Sequence, residues 1–120
     1  MKTYSFEKLT VWNKSVDLSK KIYSVTSSFP EEEKYGLVSQ MRRCSISISS
    51  NISEGSARKS PKDKARFTEV SYSSAMELLN QAIISNRLNF LTEEDYSSIR
   101  IEISEITAML NALHKSQISS

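Results

Sequence analysis

Apolar residues recur with a helical period in four separate stretches of the chain. The stretch after the first proline is ambiguous, because serine and isoleucine alternate from Ser45 to Ile48 as they would in a half-buried strand. At about 100° per residue, however, its apolar stripe falls within a sector of roughly 80° on a helix. The members of that stripe are Leu37, Met41, Cys44, Ile48 and Ile52. We therefore predict a helix at about residues 35–55 with this stripe inward, its serines allowing a neighbouring backbone to pack closely.

The first and third predicted helices, at about residues 6–28 and 62–88, each carry two apolar faces. On the first helix the faces lie roughly 130° apart and consist of Leu9, Trp12, Val16 and Tyr23, and of Val11, Leu18, Ile22 and Val25. On the third helix two neighbouring stripes consist of Phe67, Val70, Ser74, Leu78 and Ala82, and of Tyr72, Met76, Leu79 and Ile83. A helix that touches two neighbours could simply have a wide apolar arc. Because monomers seldom leave large apolar patches in water, the pattern favours a subunit interface and hence a homo-oligomer.

The fourth predicted helix, at about residues 93–115, has the 3-4-3-4-3 spacing of apolar residues that is typical of a coiled-coil seam. The seam consists of Tyr96, Ile99, Ile103, Ile106, Leu110 and Leu113. Three short connections between four helices require neighbours to run antiparallel. The sequence thus predicts an all-α fold, an antiparallel up-down-up-down four-helix bundle that occupies residues 1–120 as a single domain.

The ends of the predicted helices carry recognisable capping residues. Ser60, followed by Pro61, predicts the start of the third helix, and Thr92 predicts the start of the fourth. Gly55 is predicted to stop the second helix, since glycine is the residue most often found just beyond a helix C-terminus.

Composition excludes several classes of protein. A hydrophobic fraction of 38%, a charged fraction of 25%, two glycines and two prolines describe an ordinary globular chain. No apolar run approaches the roughly 20 residues that cross a bilayer, and the N-terminus lacks a signal core, so we expect no membrane role and a cytoplasmic location. A single cysteine, Cys44, allows no internal disulfide, in agreement with a reducing compartment.

The residue types that catalysis or a metal would need are not found at suitable spacings. His114 is the one histidine and Asn111 stands three positions before it, so the Glu-x-x-His ligands of a di-iron bundle cannot be assembled. Cys44 lies too far from His114 in the predicted bundle to form a nucleophile pair. Two isolated glycines supply no phosphate-binding loop. We expect a protein that is not an enzyme, with no catalytic residues, no cofactor and no metal.

The predicted topology sorts the charges between the two ends of the bundle. One end, which we call the basic end, collects Lys2, Lys8, Arg58, Lys59, Lys62, Lys64, Arg66 and Lys115. The other, which we call the acidic end, holds Glu31, Glu32, Glu33, Glu93, Glu94 and Asp95. Acids in the first turn of a helix complement its dipole and need no ligand. Cations at the start of a helix oppose the dipole, so the basic end requires another explanation.

Five residues of the basic end form the candidate nucleic-acid-binding site, which we call the 58–66 cluster: Arg58, Lys59, Lys62, Lys64 and Arg66. They lie beside the backbone donors at the start of the third helix, and such donors combined with cations bind phosphate. Solubility alone is the competing explanation. If this cluster does not bind, Arg42 and Arg43 on the flank of the second helix are the next candidates.

Four blocks of the sequence carry a resemblance to a known family. They read "FEKLTVWNKSVDL", "FPEEEKYGLVSQMRR", "SISISSNISEGSARKSPKDKARF" and "SYSSAMELLNQ". From Phe6 to Leu113 the chain resembles the small bacterial four-helix bundle family encoded in intervening sequences of 23S rRNA genes. The resemblance implies an up-down bundle. A similar member accompanies diversity-generating reverse transcriptases and forms a homopentameric ring, whose basic surface engages nucleic acid and the polymerase.

The element Asn-Ile-x-Glu-Gly at Asn51–Gly55 is the most specific part of this resemblance. Asn51 lies about 40° from Leu37, at the edge of the core stripe, so we expect it to satisfy buried polar groups rather than to contact a ligand. Glu54 is placed to pair with Arg58 one turn later, an ion pair worth tenths of a kcal/mol.

The resulting hypothesis is a non-enzymatic, oligomeric nucleic-acid-binding or nucleoprotein scaffold, with RNA favoured by the genomic setting of the family. The resemblance implies a homopentamer and a protein partner such as a reverse transcriptase. The alternative is a protein-protein interaction scaffold with no nucleic-acid role, whose acidic or serine-lined faces bind the partner while the basic end serves solubility.

Overall fold

Four long helices make up the structure, a computed structural model that describes residues 1–119. They are α1 (Thr10–Thr26), α2 (Ser39–Ser56), α3 (Pro61–Arg87) and α4 (Glu93–Ile118). Each helix packs against two neighbours, in the cyclic order α1, α2, α3, α4. Lys14 of α1 pairs with Glu105 of α4 at 2.8 Å. Lys21, two turns later, pairs with Glu102, earlier in α4, so these two helices run antiparallel.

The predicted all-α, up-down-up-down four-helix bundle is therefore confirmed, and no strand occurs within residues 1–119. The inward stripe of α2 is also confirmed: Met41, Cys44, Ile48 and Ile52 are buried, while Leu37, just before the helix, is half-buried against the same core. Ile46 lies off the stripe and is 43% exposed, which decides the alternating stretch in favour of a helix. No helix in the described part of the chain is long and apolar enough to cross a membrane.

Serine side chains line the contact between α2 and α3, as the sequence predicts for a close packing of backbones. The Oγ atoms of Ser47 and Ser74 lie 2.8 Å apart. Ser71 is fully buried and donates its hydroxyl to the Ile48 carbonyl oxygen at 2.8 Å. Short side chains thus bring the helices together, and hydrogen bonds across the contact satisfy the polar groups that would otherwise be costly to bury.

Gly55 does not stop the second helix, contrary to the prediction. It lies inside α2, which continues to Ser56, and it is buried against Phe67 of α3. The fold requires glycine here because there is no room for a side chain next to Phe67, not because the backbone has a special conformation.

Gly55→Ala is expected to lower the free energy of unfolding by about 1–3 kcal/mol, because the core is already filled here. The added Cβ would lie 2.9 Å from the Cβ of Phe67, too close for both to stay in place. Helix propensity alone predicts the opposite, a gain of about 1 kcal/mol over glycine. Urea unfolding measures the difference, with Ser49→Ala on a more exposed face of α2 as the matched control. Equal or greater stability of Gly55→Ala would contradict the close contact between α2 and α3.

The helix bounds differ from the predictions mainly at the starts of the first two helices. The first helix does not begin at residue 6: Ser5–Lys8 form a separate 3-10 turn, and Leu9, in an extended conformation with ψ of 126°, separates it from α1. A 3-10 turn at Glu31–Glu33 and a segment at Lys34–Val38 that is kinked at Gly36 precede α2. The N-caps are as predicted, since Ser60 and Thr92 accept hydrogen bonds from backbone N–H groups in the first turns of α3 and α4.

The second apolar faces are largely used within the chain. Trp12 packs on the core and meets the ring of Phe6 edge-on at a centroid distance of 5.1 Å. Tyr72 and Leu79 of α3 also pack against the core. Val70 is 45% exposed, whereas Leu78 and Ala82 of the same predicted stripe are fully buried. The buried face of α3 also contains many small residues. Those residues are Ala65, Thr68, Ser71, Ser74, Ala75 and Ala82.

Candidate nucleic-acid interface

The connection between α2 and α3 brings the 58–66 cluster to one end of the bundle. Arg58 and Lys59 lie in the connection, and Lys62, Lys64 and Arg66 lie in the first two turns of α3. The chain folds this way because Ser60 caps α3 and Pro61 occupies its first position, which ends the connection sharply. The structure thus places the five residues together, but their side chains have different partners.

The start of α3 offers fewer backbone donors than the sequence suggests. Pro61 has no N–H, the Asp63 N–H bonds the Ser60 hydroxyl at 3.1 Å, and the Lys64 N–H bonds the Ser60 carbonyl at 3.0 Å. In the first turn, only the N–H of Lys62 has no acceptor among the described residues. A phosphate at this end would therefore depend on side-chain cations more than on the helix terminus.

Lys64 stabilises the end of α2 rather than facing water. Its Nζ donates a hydrogen bond of 3.1 Å to the carbonyl oxygen of Ser56, the last residue of that helix. The carbonyls at a helix C-terminus have no partner within the helix and carry partial negative charge, so a lysine there is favourable. The half-buried Lys64 is already engaged, which weakens its prediction as a phosphate ligand.

Both arginines of the cluster lie over the ring of Phe67. The Arg58 guanidinium carbon is 4.6 Å from the ring centroid, and that of Arg66 is 5.6 Å away. Arg66 also lies 3.5 Å from an exposed carboxylate, that of Asp63. Phe67 was not among the predicted site residues, although its position directly after Arg66 was a usable signal.

The predicted ion pair between Glu54 and Arg58 does not form. Glu54 is exposed and has no cationic nitrogen within 4.0 Å among the described residues, because the Arg58 guanidinium turns toward Phe67 instead. Asn51 has the structural role expected of it: the half-buried side chain donates 2.8 Å to the Ser47 carbonyl and 3.1 Å to the Ser47 hydroxyl.

Three exposed cations form the centre of the site. Arg58, Lys59 and Lys62 have no carboxylate oxygen within 4.0 Å in the described part of the chain. A groove of about 470 Å³ lies beside Lys62 between α3 and α4, and it is closed on one side by Glu69. Since Glu69 repels phosphate, a nucleic-acid backbone would follow the α2 side of the cluster.

The other reactive side chains are held in structural contacts. Cys44 is buried, and desolvation together with its hydrogen bond to Glu77 raises the pKa of the thiol to about 11, so it stays protonated at neutral pH. Nε2 of His114, on α4, lies 3.2 Å from a carboxylate oxygen of Glu69, on α3. No group of three or more histidine, cysteine, aspartate or glutamate side chains that could hold a metal occurs within residues 1–119.

Two comparisons find similar proteins. A solved structure from Bacteroides thetaiotaomicron, a protein of unknown function from the S23 ribosomal protein family, matches with a TM-score of 0.80 and 25% sequence identity. The match covers 88% of this chain and 99% of the other. A search of the curated proteins finds no match. Residues 7–112 match the family model of the 23S rRNA-intervening sequence protein. The chain therefore belongs to the 23S rRNA-intervening sequence protein family.

Proposed function

We propose that this chain is a non-enzymatic nucleic-acid-binding protein that acts as a scaffold and contacts phosphates through its basic end. The observation that supports the proposal is the group formed by Arg58, Lys59 and Lys62, three exposed cations without a carboxylate partner at one end of the bundle. RNA is favoured over DNA because the family is named for sequences within 23S rRNA genes.

Helix electrostatics argue that these cations have a role beyond solubility. A lysine in the first turn of a helix opposes the helix dipole by a few tenths of a kcal/mol, and Lys62 occupies that position in α3. At the acidic end the arrangement is the favourable one, since Glu93, Glu94 and Asp95 lie in the first turn of α4. Solubility could be served by cations elsewhere without this cost, whereas phosphate binding requires them to be grouped.

Assembly into a homo-oligomer would multiply the site. The similarity to the accessory protein of diversity-generating retroelements suggests a pentamer, in which five basic ends lie on one ring and a reverse transcriptase is a candidate partner. Met76 of α3, which is 37% exposed, is one apolar side chain that remains for an interface. Repeated copies of a weak phosphate site strengthen binding to one long strand.

A salt titration of RNA binding tests the proposal. We expect the full chain to bind a fluorescein-labelled 20-nucleotide single-stranded RNA and a duplex DNA with little dependence on sequence. The logarithm of affinity should fall linearly with the logarithm of salt concentration, by about 0.7 per phosphate contact on the single strand and about 0.9 on the duplex. Absence of binding to either at 50 mM salt would refute the proposed function.

The second candidate is a protein-interaction scaffold, and one observation favours it. Ile84, in the last turn of α3, and Leu88, just after that helix, are 40% and 51% exposed and lie one helical turn apart. Neighbouring exposed apolar side chains can mark a surface that another protein covers. The same titration separates the two candidates, because these side chains would bind no RNA.

A further inference from the structure

A second group of cations and aromatic rings lies outside the 58–66 cluster. It lines an open groove of about 460 Å³ on the α1–α2 side of the bundle. We call this the tyrosine groove, and its lining consists of Tyr23, Lys34, Tyr35, Val38, Ser39, Arg42, Arg43 and Ile46. The lining contains three cations and two tyrosines but no carboxylate, so it is both positively charged and rich in flat apolar surface.

The backbone presents Tyr35 to solvent in an unusual way. Tyr35 lies in the segment Lys34–Val38 before α2, next to a kink at Gly36, which departs from helical geometry with φ of −109° and ψ of −111°. The side chain of Glu33 accepts the Leu37 N–H at 3.2 Å and so holds the turn. Tyr35 is 87% exposed, and Lys34 lies 5.6 Å from its ring centroid. The ring of Tyr35 is therefore available to a ligand, beside a cation.

Arg42 forms the fixed wall of the groove. Its guanidinium carbon lies 4.6 Å from the ring centroid of Tyr23, its Nε donates to the Thr26 hydroxyl at 3.0 Å, and its Nη2 donates to the Tyr23 carbonyl at 3.3 Å. Arg43, the next residue, is exposed and has no carboxylate within 4.0 Å in residues 1–119. The groove therefore combines one cation held in place with another that is available to a ligand.

We propose that the tyrosine groove binds unpaired nucleotides, with a base stacked on Tyr35 and the adjacent phosphates held by Lys34 and Arg43. Aromatic rings interleaved with cations are the general solution for single-stranded nucleic acid, because every base has a face that can stack. A duplex keeps its bases stacked on each other and would gain only the phosphate contacts. The inference rests on the proposed function and specifies its substrate as single-stranded RNA.

The surface of α2 connects the groove to the 58–66 cluster. Arg43 and Arg58 are 15 positions apart, or about 22 Å along a helix. Between them the exposed residues of α2 are Ile46 and Glu54, and Glu54 is the one carboxylate of the helix. The other side chains on this side of α2 are mostly half-buried serines, which carry no charge that would repel phosphate. One strand that follows α2 could thus reach both sites, whereas Glu31 and Glu32 would turn it away from the acidic end.

The variant Tyr35→Ala tests the proposal, and the conservative variant Tyr35→Phe is its matched control. We expect Tyr35→Ala to weaken binding of the single-stranded 20-mer by about 5- to 100-fold, the range expected for one lost stacking contact. Tyr35→Phe should bind like wild type, because the ring remains. Affinity for duplex DNA should change less than twofold in both variants. Thermal unfolding should be unaltered, since the side chain is 87% exposed.

Photocrosslinking of the full chain to an oligouridine that carries 5-iodouridine supplies an independent measurement. We expect the crosslinked peptide to contain Tyr35 or Tyr23. Crosslinks confined to the 58–66 cluster, or an equal loss of single-strand and duplex binding in Tyr35→Ala, would overturn the groove proposal while leaving the proposed function intact. Unchanged RNA binding by Tyr35→Ala would also overturn it and favour a protein ligand for the groove. Absence of all RNA binding by wild type would instead refute the proposed function itself.

Discussion

Leu78→Ala is expected to lower the free energy of unfolding by about 3 kcal/mol, within the range of roughly 2–5 for such a truncation. Leu78 is fully buried in the middle of α3. The cavity left behind should not collapse easily, because the hydrogen bonds of Ser71 and Ser74 hold α2 and α3 at their present separation. Urea and thermal unfolding followed by circular dichroism should show the loss, with a fall in Tm on the order of 10 °C.

Ile101→Ala is the matched control for this core substitution. Ile101 is 60% exposed on α4, so removing its side chain should change the free energy of unfolding by less than about 0.5 kcal/mol. Both proteins must be compared at one protein concentration, since an oligomer is more stable when it is concentrated. Equal stability of Leu78→Ala and Ile101→Ala would contradict the placement of α3 in the core.

The double variant Lys59→Gln/Lys62→Gln is expected to bind single-stranded RNA about 25-fold more weakly than wild type at 0.1 M salt. Each lost phosphate contact lowers the magnitude of the slope of log affinity against log salt by about 0.7, so two lost contacts lower it by about 1.4. From equal affinities at 1 M salt, a tenfold lower salt concentration then separates the affinities of the two proteins by about 25-fold. Lys64 is left unchanged, because its bond to the Ser56 carbonyl makes it part of the fold. Fluorescence anisotropy with the labelled 20-mer measures the effect.

The double variant Arg87→Gln/Arg100→Gln controls for loss of net charge. It also removes two cations, but both are exposed, at the end of α3 and in the second turn of α4, far along the bundle from the 58–66 cluster at the start of α3. We expect its RNA affinity to fall by less than threefold, as exposed charges beyond about 10 Å are largely screened at 0.1 M salt. A loss as large as that of Lys59→Gln/Lys62→Gln would mean that general charge, not a site, attracts the RNA. Unfolding of the Lys59→Gln/Lys62→Gln variant should match that of wild type.

Periodicity was sufficient for the topology of this chain. The stripe from Met41 to Ile52 indicated a helix in spite of the alternating serines, because a helix places Met41, Cys44, Ile48 and Ile52 on one face and a strand would not. Capping residues located the starts of α3 and α4 for a similar reason: a hydroxyl before a polar first turn satisfies a local backbone donor and needs no tertiary contact.

Packing between helices could not be derived from periodicity. Glycine is the residue type most often found just beyond a helix, yet Gly55 lies inside α2. Its position there lets α2 pack closely against Phe67, twelve residues later in the chain. Val70 fits the same apolar stripe as the buried Leu78, yet it is 45% exposed, because α2 and α4 pack against Ser71 and Thr68 and leave it partly uncovered. In both cases the deciding atoms belong to another helix, which the local pattern does not contain.

The candidate site was predictable in location but not in detail. The topology brought five cations to one end, whereas the choice of partners for Lys64 and Arg58 depended on a carbonyl and a ring that only the tertiary structure brings near. Arg42 and Arg43 were named from the sequence as alternative cations, but the tyrosine groove that contains them was not predicted, for the same reason. Tyr23 and Arg42 are far apart in sequence and meet only because α1 and α2 are antiparallel neighbours.

The slope of log affinity against log salt, measured on one single-stranded RNA for wild type and for Lys59→Gln/Lys62→Gln, tests whether the basic end binds phosphates. If these two lysines each hold a phosphate, the slope of the variant should be smaller in magnitude by about 1.4. Because the slope counts released counterions, a general loss of stability or of active protein would not change it. Equal slopes for the two proteins, with both of them folded, would contradict phosphate binding at the basic end.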